Sequence, residues 1–308
     1  MTKNSLQNFL LLIALGFCWG PSFLFIRFAI AEVPPLTLVS LRLIPAALLL
    51  WLIVFASGEK PREYTQCWRH FLIMGFLSCV FPFACISASE LSISSSLAAI
   101  INSTTPLFTA IGAHFLIGER LTQSKILGIL CGFLGILAVF VPSLLDQHNN
   151  SEWGALLVLL ASISYAAAYL YTRTFLSHVP SMLGAASQVL AAALLVLPAA
   201  LIFDHPWELA MPSLPALLGI AGLALFGTAI AFAIYYKLNK SAGPTYTSTS
   251  TLLFPAIAVL LGVLVLDEKL SWNIILGCFI IFTGLAIAHG FIKFPRKYQR
   301  TSEILKHE

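Results

Sequence analysis

The stretch "TTPLFTAIGAHFLIGERLTQSKILGILCGFLG" at residues 104–135 returns in altered form as "LFPAIAVLLGVLVLDEKLSWNIILGCFIIFTG" at residues 253–284. The two stretches keep one register, at a shift of 149 residues, across two apolar segments and the polar turn between them. The pairs in register include Pro106 with Pro255, Glu119 with Glu268, Leu121 with Leu270, Phe133 with Phe282 and Gly135 with Gly284. At a slightly smaller shift, further pairs are Arg27 with Arg173 and Phe23 with Tyr169. This repetition indicates a duplicated unit.

The composition places both copies in a membrane. Of the 308 residues, 59% are hydrophobic and 10% are charged, and the mean hydropathy is +0.91. Soluble domains have about a quarter of their residues charged. The basic residues lie between the apolar runs and form no stripe with interleaved aromatic residues, so no nucleic-acid partner is predicted. The six cysteines show no metal-ligand spacing, and neither a metal nor another cofactor is predicted.

A transmembrane helix needs about 20 mostly apolar residues. The candidate spans are 8–30, 36–56, 69–89, 92–117, 124–142, 153–173, 181–203, 213–236, 243–266 and 272–292. We therefore predict an all-α membrane protein with ten transmembrane helices. The predicted parts are a first five-helix repeat at 8–142, a second at 153–292 and a basic cytoplasmic tail at 293–308. Because five is odd, the second repeat must be inverted, which is typical of secondary transporters with a site between the halves.

Lysine and arginine in the loops predict the orientation. One set of alternating loops and tails holds fourteen of these residues, and the other set holds only Lys269. Both termini of this multi-pass inner (plasma) membrane protein are therefore predicted to be cytoplasmic. An alternative is that Lys3, the first apolar run and "AIAE" at residues 29–32 form a cleaved signal. The run is longer than a typical signal core, and cleavage would leave nine spans, so a retained span is favoured.

The ten spans, their duplication and the pattern proline, helix, "GER-L" or "DEK-L", helix, glycine resemble the EamA-type members of the drug/metabolite transporter superfamily. The resemblance covers nearly the whole chain. It implies transport of small metabolites, often amino acids, nucleobases or drug-like compounds, and a central cavity bordered by the fourth and ninth spans. We therefore predict a metabolite exporter that works by alternating access. The alternatives are a membrane-embedded enzyme, which would need a cluster of catalytic groups, a channel, and a structural membrane protein.

Two polar patches interrupt the apolar spans, and each precedes one proline of the pair Pro106 and Pro255. The substrate-binding residues predicted from these patches are Asn102, Thr105, Thr247, Ser248 and Thr251. Polar groups at membrane depth are tolerated where they face protein or a water-filled cavity. The alternative is that the hydroxyls bond back to their own helices or to a neighbour.

Aromatic residues form a second set of predicted substrate contacts. Trp19 lies within the first span in "CWGPSF", where Gly20 and Pro21 can bend the helix, and Tyr165 and Tyr169 lie in the sixth span, which the repeat matches to the first. Such rings can stack on an organic substrate and donate a hydrogen bond. A packing or interfacial role is the alternative.

Titratable residues in or next to the spans are few, and Arg42, Glu90 and His114 are predicted to take part in gating or coupling together with Pro106 and Pro255. Arg42 lies deep in the second span and is predicted to pair with Glu32 or Glu90, either as a structural lock or as an anion site. His114 is either a packed residue or a proton-coupling group. Glu119 and Glu268 are predicted either to cap the following helices or to pair with Arg120 and Lys269 as gate latches.

The partners predicted from these features are the lipid bilayer, a small-molecule substrate and possibly a second copy of the chain. Gly128, Gly132 and Gly135 form a stripe of small residues that suits either internal packing or a homodimer. No phosphate-binding glycine motif follows a strand, so ATP drive is not predicted.

Overall fold

The computed structural model describes residues 3–119, 122–145, 152–266, 272–288 and 292. All regular structure in these residues is helical, which confirms the all-α prediction. The helices of residues 3–145 are α1 (Lys3–Trp19), α2 (Ser22–Ile30), α3 (Pro35–Ala56), α4 (Trp68–Gly75), α5 (Phe81–Ser89), α6 (Ser95–Asn102), α7 (Thr105–Ile117) and α8 (Gln123–Leu145). Those of residues 152–288 are α9 (Glu152–Phe175), α10 (Ser181–Phe203), α11 (Leu214–Ala224), α12 (Ala231–Ala242), α13 (Pro244–Ser248), α14 (Phe254–Leu266) and α15 (Trp272–Ala288).

Short tighter and wider turns complete the helical course. The π-helical turns Phe76–Val80 and Leu225–Ile230 join α4 to α5 and α11 to α12. The 3₁₀ turns are Pro61–Cys67, Pro206–Glu208 and Thr249–Leu253. Wide π turns inside α-helices occur often at functional sites.

Local sequence explains several helix ends. Pro35 stands at the first position of α3, where its missing N–H costs nothing. Ser94 caps α6 by accepting a hydrogen bond from the Leu97 N–H at 3.2 Å. Gly118 ends α7 with a φ of 66°, a left-handed conformation that favours glycine.

Seven helical segments of the described residues are long and apolar enough to cross a membrane. They are Ser5–Ile30, Pro35–Ala56, Pro61–Ser89, Ser95–Ile117, Glu152–Phe175, Ser181–Phe203 and Leu214–Ala242. They coincide with the predicted spans one to four and six to eight. The segments Gln123–Gly135 and Ile275–Gly284 are apolar but shorter, so the count of ten transmembrane helices stays a prediction.

The predicted glycine stripe lies between α8 and α15. A Cβ atom on Gly284 would lie 2.5 Å from the backbone nitrogen of Gly132 and 2.6 Å from the carbonyl oxygen of Gly128. These glycines therefore allow the two helices of one chain to approach closely, as the packing interpretation requires. A homodimer stays a prediction.

The helix ends gather at two opposite ends of the molecule. At the first, which we call the Glu90 end, Arg27 Nη1 donates to the carbonyl oxygen of Glu90 at 2.8 Å. At the second, the Lys240 end, Arg173 Nη1 donates to the carbonyl oxygen of Lys240 at 3.0 Å. One hydrophobic cluster lies toward each end, and Trp19 packs against both clusters. The centre of the molecule is therefore the place where the two clusters meet.

Candidate functional site

A cavity lies at this centre, between the part of the chain before residue 146 and the part after residue 151. Its lining residues are Trp19, Ser22, Phe23, Ile26, Arg42, Phe83, Ile86, Asn102, Tyr165, Tyr169, Thr251 and Phe254. The volume of the cavity is about 40 Å³. That volume holds roughly three waters. In this conformation the cavity is therefore too narrow for a metabolite.

Breaks in the helices bring the lining residues together. The chain bends at Gly20 and Pro21 between α1 and α2, and Trp19 there donates its indole Nε1–H to the carbonyl oxygen of Gly227 at 3.1 Å. A Cβ atom on Gly20 would come within 2.7 Å of the Ile257 side chain, so glycine permits this approach. The bend thus fixes the indole at the contact between the two halves.

Arg42 is the charged member of the lining and is only 2% exposed. Its Nε donates to Thr228 Oγ1 and its Nη2 donates to the Gly227 carbonyl oxygen, both at 3.1 Å. Its guanidinium carbon lies 3.7 Å from the centroid of the Phe83 ring. Arg42 thus binds the π-helical turn Leu225–Ile230, whose irregular backbone leaves the Gly227 carbonyl accessible to side chains.

The prediction that Glu32 or Glu90 pairs with Arg42 was wrong. Glu32 instead accepts hydrogen bonds from the backbone N–H and the hydroxyl of Ser213, at 2.6 and 2.5 Å. Glu90 accepts one from the Ser95 hydroxyl at 2.7 Å. Both carboxylates bind loop residues at the Glu90 end. The Arg42 side chain extends from α3 toward the turn between α11 and α12 and therefore does not reach them.

The predicted polar patches divide into residues that line the cavity and residues that do not. Asn102 and Thr251 line it, and the Ser103 hydroxyl ties the patches together by donating to the Thr251 carbonyl oxygen at 2.6 Å. All four predicted hydroxyls donate to backbone carbonyls three or four residues earlier: Thr105 to Asn102 at 2.7 Å, Thr247 to Gly243 at 2.7 Å, Ser248 to Thr245 at 3.0 Å and Thr251 to Ser248 at 2.9 Å. For these residues the hydroxyl geometry is that of the alternative interpretation, and only Thr251 among them also lines the cavity.

The structure brings the predicted aromatic residues to the cavity. Trp19, Tyr165 and Tyr169 all line it. Beyond Tyr169, toward the Lys240 end, the interior is filled by further rings: the centroid of Tyr235 lies 5.1 Å from that of Tyr169 and 5.3 Å from that of Tyr236. This aromatic packing closes the cavity on the Lys240 side.

The predicted gating and coupling residues other than Arg42 lie outside the lining. Glu90 is fully buried, and burial raises the pKa of its carboxyl well above the ordinary value, although the Ser95 hydrogen bond and the charge of Arg27 oppose this shift. His114 is exposed, with Nδ1 at 3.4 Å from the Glu119 carbonyl oxygen. Pro106 and Pro255 stand in the first turns of α7 and α14, directly after the helix breaks.

Glu119 holds two partners at the Lys240 end. Its carboxylate pairs with Lys125, and it accepts a hydrogen bond from the Thr245 hydroxyl at 2.9 Å. The Thr245 contact joins the two halves. Glu268, Arg120 and Lys269 lie outside the described residues.

One functional feature escaped the sequence analysis. Gln188 of α10 donates its Nε2 to Ser78 Oγ at 3.1 Å and to Cys79 Sγ at 3.4 Å, both in the π-helical turn Phe76–Val80. A shift of 146 residues aligns "VPPLTLVSLRLIPAALLL" at 33–50 with "VPSMLGAASQVLAAALLV" at 179–196, and it places Arg42 on Gln188. One side chain from each half, Arg42 or Gln188, thus binds the π-helical turn of the other half. In the sequence, this alignment is the feature that predicts matched roles for Arg42 and Gln188.

Comparison with known proteins agrees with this geometry. The sequence model of the EamA-like transporter family matches residues 7–141 and 152–289 of this chain. The uncharacterized inner membrane transporter YedA of Escherichia coli K12 is 31% identical, covering 96% of this chain and 95% of YedA. The uncharacterized transporter YoaV of Bacillus subtilis is 24% identical over 89% of this chain and 94% of YoaV. A probable amino-acid metabolite efflux pump of Escherichia coli K12 is 25% identical over 87% of this chain and 90% of the pump.

Solved structures share the fold. One crystal structure aligns with a TM-score of 0.74, covering 92% of this chain and 96% of that chain at 20% sequence identity. At this identity the likeness speaks to the arrangement of the helices alone. The relatives and the apolar helices together identify a multi-pass membrane protein.

Proposed function

This chain belongs to the EamA-like transporter family, and we propose that it is a secondary transporter that exports small amphipathic metabolites, such as amino acids or related compounds, across the inner membrane. The proposed architecture is ten transmembrane helices in two inverted five-helix repeats, 8–142 and 153–292, with both termini in the cytoplasm. The loop charges support this orientation. Tags on the two termini should both report the cytoplasm, and an external C-terminus would contradict the ten-helix proposal.

The observation that carries the proposal is the central cavity shared by the two halves. Asn102 from one half and Thr251 from the other line it together, and their patches are joined by a hydrogen bond. Sites between two repeats near the middle of the membrane are typical of secondary transporters. A lining of aromatic rings with a few polar groups suits a compound that has an apolar body and a polar head.

The contacts at the two ends support alternating access around this cavity. At the Glu90 end the halves are tied by Glu32 with Ser213 and by Asp204, whose carboxylate accepts hydrogen bonds from the Thr37 N–H and hydroxyl at 2.7 and 3.0 Å. The residues that join the halves at the Lys240 end include Asn8 with Ser241 and Glu119 with Thr245. Because both ends are tied, this conformation is closed, and transport requires the ties of one end to break at a time.

Flux into proteoliposomes tests the proposal. Purified protein would be reconstituted and offered a mixed pool of amino acids, nucleosides and amines, with uptake read by mass spectrometry. We expect saturable uptake of one class. Asn102→Leu and Thr251→Leu should each reduce it at least about tenfold, because the larger apolar side chains fill the cavity and remove polar groups that a bound substrate would otherwise contact.

A matched control is available one turn beyond the patch. Thr109 is buried and donates its hydroxyl to the Thr105 carbonyl oxygen at 2.9 Å without lining the cavity. Thr109→Val should therefore leave uptake near that of the wild type. If Asn102→Leu and Thr251→Leu transport as well as Thr109→Val, the cavity is not the route.

The same flux assay, run with and without a pH gradient, examines proton coupling. Glu90 is a fully buried carboxyl whose pKa is raised by burial. If protons drive transport through it, Glu90→Gln abolishes the response to the gradient while His114→Gln retains it. A gradient response that survives Glu90→Gln excludes this carboxyl as the coupling group.

A further inference from the structure

Arg42 presents a buried positive charge that no carboxylate of the described residues neutralises. The ion pairs in that part of the chain are Lys60 with Glu63 and Lys125 with Glu119. The hydrogen-bond partners of Arg42, the hydroxyl of Thr228 and the carbonyl of Gly227, are both neutral. An isolated charge in a dry interior is costly, and in a membrane protein such a residue marks a functional site by default.

The Arg42 guanidinium also has N–H donors that make no hydrogen bond within the described part of the chain. Its Nε and Nη2 are used, but Nη1 makes no hydrogen bond within the described part of the chain, and the residue borders the cavity. A guanidinium edge presents two parallel N–H groups that match the two oxygens of a carboxylate. The Phe83 ring against the guanidinium face holds the plane in place. The group is therefore oriented before any ligand arrives.

The residues next to Arg42 in the cavity lining indicate the chemistry of the rest of the ligand. Tyr165 and Asn102 supply polar groups to the same lining, and Trp19, Phe23 and Phe254 supply apolar ring surface. On the assumption that the cavity is the substrate site proposed above, we propose that it takes small organic carboxylates with an apolar or aromatic body. The carboxylate would pair with Arg42, and the body would lie against the rings.

The chain itself supplies a conservative substitution for testing this pairing. Gln188 occupies the matched position of the other half and is accommodated there, fully buried, against the π-helical turn Phe76–Val80. Arg42 itself is not needed to satisfy its present partners: Thr228 Oγ1 donates to the Leu223 carbonyl at 2.8 Å, and the Gly227 carbonyl accepts from Trp19. Arg42→Gln should therefore fold while losing the charge.

Binding to purified protein is the first arm of the test, and it does not require transport. The probes are 3-phenylpropionate, its uncharged amide 3-phenylpropionamide, and phenyl phosphate, with affinity read by calorimetry. We expect the wild type to prefer 3-phenylpropionate over the amide by about tenfold to a hundredfold, the range for charge-assisted hydrogen bonds. Arg42→Gln should lose this preference, and Arg42→Lys should recover part of it. Arg62→Gln, which removes an exposed arginine, should keep the preference in full.

Flux of phenylalanine and phenylalaninamide into proteoliposomes is the second arm. We expect phenylalanine to be taken up and phenylalaninamide to be taken up at least about tenfold less, with the difference lost in Arg42→Gln. Carboxylate binding without any flux would contradict the transporter proposal and leave the anion site standing. Equal affinity for acid and amide, stronger binding of phenyl phosphate, no binding of either acid or amide, or an unchanged preference in Arg42→Gln would each overturn the carboxylate site.

Discussion

The Arg42 and Gln188 sites occupy matched positions and have become different. Each side chain leaves the second long helix of its half and binds the π-helical turn of the other half. Gln188 is neutral, and its Oε1 accepts a hydrogen bond from the Tyr236 hydroxyl at 2.8 Å. Arg42 is charged, keeps unused donors and borders the cavity.

Packing around the two sites follows the same division. The Tyr236 ring fills the space beside Gln188, and a Cβ atom on Gly184 would lie 2.5 Å from that ring. The matched space beside Arg42 belongs to the cavity. The two halves thus share a common arrangement, but the Gln188 site is a filled contact and the Arg42 site borders the cavity. This comparison predicts that the two residues cannot be exchanged.

The largest expected effect is that of Gln188→Arg. The new guanidinium would enter a filled site without a carboxylate, next to a Tyr236 ring that packs closely against Gly184. A loss of about 3 kcal/mol or more in the free energy of unfolding is expected for an unpaired buried charge. Thermal melting of the purified protein measures it, with Gln188→Met as the neutral control. A Gln188→Arg protein as stable as the control would show that the two sites are alike.

Replacing each residue by leucine is expected to have a smaller effect on stability, and the effect should differ between the two sites. Gln188→Leu leaves the Tyr236 and Ser78 hydroxyls without this partner and should cost about 1–3 kcal/mol of stability. Arg42→Leu leaves Thr228 and Gly227 with their other partners, so its stability should equal or exceed that of the wild type. Melting temperatures of the two variants decide the matter. A strongly destabilised Arg42→Leu protein would identify Arg42 as a structural lock.

The smallest effect extends the comparison to the two ends of the molecule. The shift of 146 residues matches Glu32 and Ser213 at the Glu90 end to His178 and Cys67, whose Nε2 and Sγ lie 3.7 Å apart. The hydrogen bonds from Ser213 hold the pKa of Glu32 below its ordinary value. Because the folded pKa is the lower one, this contact stabilises the protein above the ordinary pKa of glutamate and is lost as the pH falls through the lowered value.

Melting curves of wild type and Glu32→Gln between neutral and acidic pH test this contact. The wild type should lose a small part of its stability over this interval that Glu32→Gln never had, so the two curves converge at low pH. Curves that stay parallel throughout would show that Glu32 contributes no stabilisation through its charge.

Much of the fold follows from the sequence because apolar length and repetition act over long segments. All seven helical segments of the described residues that are apolar enough to span a membrane overlap predicted spans. The helix breaks at Gly20–Pro21 and before Pro106 and Pro255 have a local cause in the sequence, since proline and glycine act on the local backbone. Which of ten predicted spans cross the membrane depends on segments such as 267–271, which lie outside the described residues.

The site was less predictable because it depends on contacts between distant residues. Asn102 and Thr105 share a polar patch, yet only Asn102 lines the cavity, because one helix ends at Asn102 and the next begins at Thr105. The sequence favours Glu32 and Glu90 as partners of Arg42, but its actual partners are 185 and 186 residues away. A backbone carbonyl in a π-helical turn has no sequence signature. The alignment of Arg42 with Gln188 was the signal that pointed to it.

The most direct test of the account is an experimental structure of the protein with a transported or bound carboxylate such as 3-phenylpropionate. The account predicts that the carboxylate lies within hydrogen-bonding distance of Arg42, with its ring between Trp19 and the aromatic residues of the second half. A ligand held elsewhere, or one whose carboxylate points away from Arg42, would contradict it.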